Sequence, residues 1–188
     1  ITALLVENIT NALKVIENER RISQTDAYLT GLIELQDASS QNAMLALGLT
    51  AGQRVLDFCA GGGGKSLAMT ALGANVTAHD IDQQRMIDLS PRADRAGVVI
   101  KTTSKDDLKM LVPFDVVLVD APCSGSGTWR RSPMAKWDLT PERLLELTQM
   151  QDDVLAQAAK LVGANGILAY ATCSIFNIEN IDVVNRFI

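Results

Sequence analysis

The chain has 188 residues, of which 47% are hydrophobic and 21% are charged, and it carries a formal net charge of −5. This length suits one domain of ordinary size. The proportion of hydrophobic to charged residues excludes wholesale disorder, because enough apolar side chains are present to build a core. No apolar run approaches the ~18 residues that a membrane span needs, and the N-terminus lacks the basic and apolar regions of a secretion signal. We therefore expect a soluble, cytoplasmic monomer with no membrane partner.

The acidic charge and the cysteines limit what the chain can bind. A protein that binds nucleic acid unaided is usually basic, because phosphate contacts supply most of the affinity. A nucleic-acid substrate would therefore require a local basic patch or help from outside this chain. Cys59, Cys123 and Cys173 are odd in number and widely spaced, with no CxxC pair and a single histidine, His79. This pattern predicts reduced thiols and no metal site.

The hydrophobic pattern divides the chain into a helical segment and a region of alternating strands and helices. Leu5, Ile9, Leu13 and Ile16 fall on one helical face, which predicts a helical N-terminal segment over residues 1–38 and a separate domain over residues 39–188. In that domain we predict strands at residues 55–58, 75–79, 98–100, 116–119 and 167–171, with helices between them and a long helix from Thr140 to about Val162. Apolar strands that alternate with helices are typical of a mostly parallel α/β sheet covered on both faces.

A run of glycines at residues 61–64 follows the first of these strands and precedes a helix. Such a turn suits an anionic or polar ligand, because free backbone N–H groups converge at a helix start. A phosphate-binding P-loop would need glycine in place of Cys59, and a dinucleotide fingerprint would need it in place of Ser66 or Leu67. Asp80 ends the second strand and could accept hydrogen bonds from both hydroxyls of an unphosphorylated ribose. A nicotinamide dinucleotide and S-adenosylmethionine both carry such a ribose, and a turn in which Asp80 is only a cap is the simpler alternative.

Two of the cysteines follow neighbouring predicted strands. Cys123 lies in Asp-Ala-Pro-Cys-Ser-Gly at residues 120–125, and Cys173 lies in Ala-Thr-Cys-Ser at residues 171–174. An isolated cysteine is most often a small buried hydrophobe, and we interpret the Cys59 side chain in that way. Because the carboxyl ends of neighbouring parallel strands meet at one edge of the sheet, we expect Cys123 and Cys173 to share one cleft.

Several segments together resemble a known family. Residues 57–65, Asp-Phe-Cys-Ala-Gly-Gly-Gly-Gly-Lys, and the two cysteine segments are similar to the RNA (cytosine-5)-methyltransferases of the Sun/Nop2 type, known in bacteria as Fmu or Sun proteins. Residues 34–41 and 130–137 are also similar to that family, so the resemblance covers residues 34–188. It implies a Rossmann-like methyltransferase fold, a catalytic domain over residues 39–188, S-adenosylmethionine as the cofactor, and methyl transfer to C5 of cytosine in ribosomal or transfer RNA.

The resemblance also implies a role for individual residues. Cys173 would be the nucleophile that adds to C6 of cytosine, and Cys123 would assist release of the methylated product from the covalent adduct. Asp120 would hold N3 of the ring in its protonated form, and Lys65 would contact both the cofactor region and this acid. The residues implied to bind the cofactor are Cys59, Ala60, Gly61, Gly62, Gly63, Gly64, Lys65, Asp80 and Asp120.

The chain departs from the family pattern in three places. Gly61 and Gly62 occupy the variable part of the loop, where the family usually has Ala-Pro. The Gly-Asp that contacts adenine in the family has no clear match, and Asp106 is only a candidate for it. The chain also ends soon after the second cysteine segment, so we expect the sheet to be incomplete at its C-terminal side. Residues 1–33 are short for the RNA-binding region that family members usually carry before this domain.

Cationic and indole side chains follow the first cysteine segment in a predicted loop. Arg130, Arg131 and Lys136 are candidate contacts to the RNA backbone, with Trp129 and Trp137 beside them. The alternative is a surface loop whose indoles pack on the core. Three other functions stay open: an N- or O-methyltransferase with incidental thiols, a phosphate-loop nucleotide hydrolase, and a catalytically inactive RNA-binding module.

Overall fold

The computed structural model describes residues 1–111 and 113–188. Its strands are β1 (Thr2–Leu5), β2 (Leu13–Glu17), β3 (Arg54–Asp57), β4 (Asn75–Ala78), β5 (Lys101–Thr102), β6 (Phe114–Asp120) and β7 (Val162–Ala171). Its α-helices are α1 (Asp26–Leu29), α2 (Ala38–Ala46), α3 (Gly64–Ala71), α4 (Leu89–Arg95), α5 (Lys105–Leu111), α6 (Met134–Asp138), α7 (Pro141–Ala158) and α8 (Ile181–Phe187). None of the helices formed by these residues has the length and apolar character that a bilayer crossing requires.

Among the described residues, five strands form one sheet in the order β5-β4-β3-β6-β7. The pairs β4–β5, β3–β6 and β6–β7 are parallel, which confirms the predicted α/β fold. From β3 the chain continues on one side to β4 and later on the other side to β6, so the strand order reverses between β3 and β6. Open α/β sheets bind their ligands at the carboxyl ends of the strands beside such a reversal.

Strand β6 shows why this sequence forms a buried sheet. Val116, Val117, Leu118 and Val119 are all buried, at 1% exposure or less. β-branched side chains favour extended backbone, and a continuous apolar run indicates a strand covered on both faces. Helix α7 begins where the sequence predicts a long helix. Thr140 caps it by accepting a hydrogen bond from the Arg143 N–H.

The chain divides into two compact units, one made of Ile1–Arg54 and Ala60–Thr103 and the other of Val55–Cys59 and Ser104–Ile188. The first unit contains a core of Ala78, Met86 and Leu89, with Ala60 and Ile100 packed against it. The core of the second unit consists of Leu56, Phe58, Leu108, Phe114, Val117, Val119, Ala121, Leu155, Ala158, Leu161 and Val183.

The predicted helical N-terminal segment is wrong over its first half. Residues 1–17 form the antiparallel pair β1–β2, in which Leu5 lies opposite Leu13. Asn8 and Asn11 have a positive φ of 63° in the connection. Asparagine tolerates this left-handed conformation, and a helix interior does not contain it. The spacing of Leu5 and Leu13 therefore suited a helix by coincidence, and both side chains are exposed. The predicted boundary at residue 38 stays a prediction.

Two other elements differ from the predictions. The third strand of the domain lies at Lys101–Thr102, just after the predicted residues 98–100. Residues 134–138 form the short helix α6 inside the segment that we predicted to be a loop. Both elements are short, and local apolar periodicity is weakest over a few residues.

Candidate active site

The glycine loop of the first unit is held by a buried acid. Asp80, which is 3% exposed, accepts hydrogen bonds from the Gly61 N–H at Oδ2 and from the Asp82 N–H at Oδ1, each at 3.0 Å. The half-exposed guanidinium of Arg85 lies 3.4 Å from Oδ2. A carboxylate can accept about four hydrogen bonds, so the two backbone donors leave positions for hydroxyl donors of a ligand.

The turn from this loop into α3 requires glycine at position 63. Gly63 is the N-cap of α3 and has a φ of 78°, in the left-handed region. A Cβ atom at this position would lie 2.7 Å from Cγ of Leu89, which is buried in the core of the same unit. Lys65 and Ser66 follow in the first turn of the helix, with Lys65 half-buried and Ser66 buried.

Side chains from outside the loop bind its carbonyl groups. Arg92 donates a hydrogen bond to the Gly62 carbonyl, and Nε2 of Gln36 donates to the Gly64 carbonyl at 2.9 Å. Glu34 forms ion pairs with Arg92, at 3.5 Å, and with Arg95. The segment at residues 34–41, noted above only for its family resemblance, therefore helps to hold the glycine loop.

The two cysteines predicted to share a cleft lie side by side in the second unit. The Sγ atoms of Cys123 and Cys173 lie 3.3 Å apart, with Cys173 exposed and Cys123 half-buried. The hydrogen bond to Cys173, together with burial, raises the pKa of the Cys123 thiol well above its ordinary value. The raised pKa favours the protonated form of Cys123, and either Sγ atom could be the donor in the hydrogen bond between the two thiols.

Other predicted site residues lie at the ends of β3 and β6. Asp120 ends β6, is half-buried and is in register with Ala171 of β7. Cys59 is half-buried and packs against the core of the second unit. Lys65 and Asp120 belong to different units, and the contact implied between them stays a prediction. Asp106 lies exposed in α5, and its role toward adenine is likewise untested.

A buried acid beside the thiols was missed by the sequence analysis. Glu179 is 0% exposed, and its carboxylate accepts hydrogen bonds from Ser124, Gln151 and Ser174. A sequence signal for it exists, because Glu179 is the only charged residue of the segment Ile-Phe-Asn-Ile-Glu-Asn-Ile at residues 175–181. An isolated acid in an uncharged, largely apolar segment indicates either an exposed turn or a buried group with dedicated donors.

The proposed RNA contacts lie at the surface of the second unit. Arg130, Arg131 and Lys136 are exposed, and Nζ of Lys136 lies 5.5 Å from the centroid of the Trp137 ring. Trp137 is 75% exposed. Trp129 instead packs edge-on against Phe176, with 5.8 Å between ring centroids. One indole therefore packs within the structure, and the other is accessible to a ligand.

The fold and these groups define a class of protein. A mostly parallel sheet with a glycine loop after β3 and an acid after β4 is the arrangement of Rossmann-like methyltransferases. A family model described as 16S rRNA methyltransferase RsmB/F matches residues 44–188. The chain belongs to this RsmB/F methyltransferase family, which confirms the resemblance given above.

Individual relatives agree with this assignment. The probable ribosomal RNA small subunit methyltransferase B of Bacillus subtilis is 34% identical over 187 residues, which cover 95% of this chain and 41% of that protein. The ribosomal RNA small subunit methyltransferase B of Salmonella agona is 33% identical over 181 residues, which cover 92% of this chain and 42% of that protein. The crystal structure of PH0851 superposes with a TM-score of 0.86 at 32% identity, covering 99% of this chain and 44% of that one. The structure of a methyltransferase homolog from Pyrococcus horikoshii superposes with a TM-score of 0.72 at 32% identity, covering 87% of this chain and 53% of that one. The chain thus spans less than half the length of these curated relatives.

Proposed function

We propose that this chain carries the catalytic domain of an S-adenosylmethionine-dependent RNA methyltransferase that modifies C5 of cytosine. The observation that carries the proposal is the approach of the Cys123 and Cys173 thiols to 3.3 Å. Cytosine C5 is a poor nucleophile, and a thiolate that adds to C6 makes it reactive. A second thiol beside the first is placed to assist the later release of the product, and a nucleotide hydrolase has no use for either group.

The steps follow from the chemistry of the two thiols. The Cys173 thiolate forms a bond to C6, and the electron pair of the C5–C6 double bond moves toward C5 and the ring. Asp120 holds N3 protonated, so that the ring can accept this charge. After C5 has taken up the methyl group, the C5 proton passes to solvent acting as the base. The electron pair of that C–H bond restores the C5–C6 double bond, and the Cys173 sulfur leaves C6 as a thiolate. Cys123 assists this elimination.

The residues of the glycine loop fit S-adenosylmethionine. When bound, this cofactor supplies the methyl group as an electrophilic sulfonium. Asp80 has two backbone donors and retains acceptor capacity for the two ribose hydroxyls. The loop from Cys59 to Lys65 would hold the remainder of the cofactor through its backbone groups.

Small-subunit ribosomal RNA is the first substrate to test, because the curated relatives are named for it. Transfer RNA is the other member of the proposed class. Arg130, Arg131 and Lys136 would contact the RNA backbone, and their exposure supports this role. Because the chain has a net charge of −5, we propose that most of the basic RNA-binding surface lies outside it.

The decisive experiment compares Cys173→Ala with Cys123→Ala in the full chain, using methyl-labelled S-adenosylmethionine and small-subunit ribosomal RNA. We expect Cys173→Ala to abolish turnover, because no thiolate adds to C6. We expect Cys123→Ala to accumulate a protein–RNA adduct that survives denaturing electrophoresis. If both variants methylate RNA normally, the thiols are incidental and an N- or O-methyltransferase is the better assignment. If the unsubstituted chain binds ATP with magnesium and does not bind S-adenosylhomocysteine, the proposed methyltransferase function is wrong.

A further inference from the structure

We propose that Glu179 is a positioning residue that sets the spacing of the two thiols. It does so by holding the segments that follow Cys123 and Cys173 against one carboxylate. The inference concerns the second unit only, and its catalytic meaning rests on the function proposed above.

The hydrogen bonds of Glu179 reach both cysteine segments. Oε1 accepts from the Ser124 N–H at 2.8 Å, and Oε2 accepts from the hydroxyls of Ser124 and Ser174, each at 2.5 Å. Ser124 directly follows Cys123, and Ser174 directly follows Cys173. A single oxygen atom thus joins two segments that are fifty residues apart in the chain.

Helix α7 completes the arrangement from the other side of Cys123. Gln151 is fully buried, and its Nε2 donates to the Pro122 carbonyl at 2.8 Å and to Oε1 of Glu179 at 3.2 Å. Pro122 directly precedes Cys123, so the backbone is held on both sides of this thiol. Reversing the Gln151 amide would place its oxygen against two acceptors, which fixes its orientation.

The segment after Cys173 is held in the same way. The hydroxyl of Ser126 lies 3.0 Å from that of Ser174 and accepts a hydrogen bond from the Ile175 N–H at 2.9 Å. The Gly127 N–H donates to the Cys173 carbonyl at 2.9 Å, and a Cβ at Gly127 would lie only 2.8 Å from that oxygen. The two cysteine segments therefore touch at several points, and Glu179 accepts hydrogen bonds from both of them.

The burial of Glu179 argues for a positional role. Its four donors occupy the four acceptor positions of a carboxylate, and all of them are neutral. A carboxylate without a cation is unfavourable in a protein interior unless such donors surround it, and an apolar side chain could fill the same volume at lower cost. Its value lies in the directional bonds, which fix Ser124 and Ser174 and with them the neighbouring thiols.

The test measures thiol geometry without RNA or cofactor. Diamide, a two-electron oxidant, accepts two hydrogen atoms from Cys123 and Cys173 as their sulfur atoms form a disulfide, and peptide mass spectrometry follows its rate. A disulfide forms only when both sulfur atoms approach to about 2 Å, so the rate reports their spacing. We expect Glu179→Ala to slow the formation of this disulfide, which we call closure, at least tenfold. Glu179→Gln should restore most of it, because the amide oxygen still accepts from the Ser124 N–H and the serine hydroxyls can reorient toward the amide.

Val183→Ala is the matched control, because Val183 is fully buried in the core of the same unit and its hydrocarbon side chain can neither donate nor accept a hydrogen bond. It should lose stability and keep the unsubstituted closure rate. A folded Glu179→Ala protein that closes as fast as the unsubstituted chain would overturn the inference, as would equal slowing by Val183→Ala. If Glu179→Ala does not fold, the double variant Ser124→Ala, Ser174→Ala removes the same two hydroxyl donors and must show the slowing.

Methylation assays then separate this inference from the proposed function. In an active enzyme, Glu179→Ala should lower kcat with little change in KM for RNA, because substrate contacts are retained. If the unsubstituted chain does not methylate RNA at all, the proposed function fails, and the closure rates still decide the role of Glu179.

Discussion

The Sγ atoms of Cys123 and Cys173 lie 3.3 Å apart, although fifty residues separate the two positions in the chain. Strand pairing brings them together: β6 and β7 are parallel neighbours, with Asp120 in register with Ala171. Each strand ends a few residues before its cysteine, so both thiols emerge at the same edge of the sheet.

The two thiols should differ in reactivity. The pKa of Cys123 is raised above its ordinary value of 9.0 by its hydrogen bond to Cys173 and by burial. A raised pKa leaves less thiolate at every pH between about 7 and 9, and the thiolate is the reactive form. Iodoacetamide should therefore alkylate the exposed Cys173 at least tenfold faster than Cys123, as peptide mass spectrometry would show. In Cys173→Ala the hydrogen bond is lost, and Cys123 should react faster; equal rates for both thiols in the unsubstituted chain would contradict the assignment.

Asp80→Asn should weaken cofactor binding. The amide retains the shape of the side chain and replaces one carboxylate acceptor by a donor, which cannot accept from the Gly61 N–H or from a ribose hydroxyl. Hydrogen bonds to a charged group contribute about 1.5–3 kcal/mol each, so the loss of one predicts roughly 10- to 150-fold weaker binding of S-adenosylhomocysteine in calorimetry. Asp82→Asn is the control, because the Asp82 side chain is exposed and accepts a hydrogen bond from the Gln84 N–H. Similar affinities for the two variants would remove Asp80 from the binding site.

Arg92→Ala should also weaken cofactor binding, although Arg92 was not a predicted ligand contact. Its guanidinium donates to the Gly62 carbonyl and pairs with Glu34, and both bonds disappear in the variant. A more mobile loop loses entropy when the ligand orders it, and we expect about tenfold weaker binding of S-adenosylhomocysteine. Arg143→Ala removes an exposed guanidinium paired with Glu146 and should leave the affinity unchanged. An unchanged affinity in Arg92→Ala would show that the loop is rigid without this contact.

Arg130→Ala and Lys136→Ala should weaken RNA binding in a salt-dependent way. Both side chains are exposed to solvent, where phosphate groups can reach them. The slope of log affinity against log salt concentration is negative, and each phosphate contact that is lost should make it shallower by about 0.7 for single-stranded RNA. Filter binding at several salt concentrations measures this slope, and iodoacetamide labelling of Cys173 should stay unchanged. Lys160→Ala, another exposed lysine of the second unit, is the control; the same slope in all three variants would exclude a specific basic contact surface.

Much of the fold could be predicted because it depends on neighbouring residues. The β-branched run of β6, the glycines before α3 and the Thr140-Pro141 start of α7 determine their own conformations over a few positions. The positions of the two thiols could also be predicted, since Cys123 and Cys173 each follow a strand that the apolar pattern predicts. The N-terminal pair β1–β2 escaped prediction because strand pairing depends on residues across a turn, and Leu5 and Leu13 satisfied a helical spacing as well.

The alternating apolar pattern of this sequence predicted an α/β protein, its three widely spaced cysteines predicted reduced thiols, and its motifs pointed to two thiols and a cofactor loop. Only the tertiary structure decided what supports them. Glu179 meets Ser124 across 55 positions, and Arg92 meets Gly62 across 30. Nothing in a linear pattern tells which donor a buried acid will meet, because that is settled by which strands pair and which helix packs over them. The residues proposed to carry the chemistry could be identified in the sequence, and the side chains that contact their neighbours could be identified only in the fold.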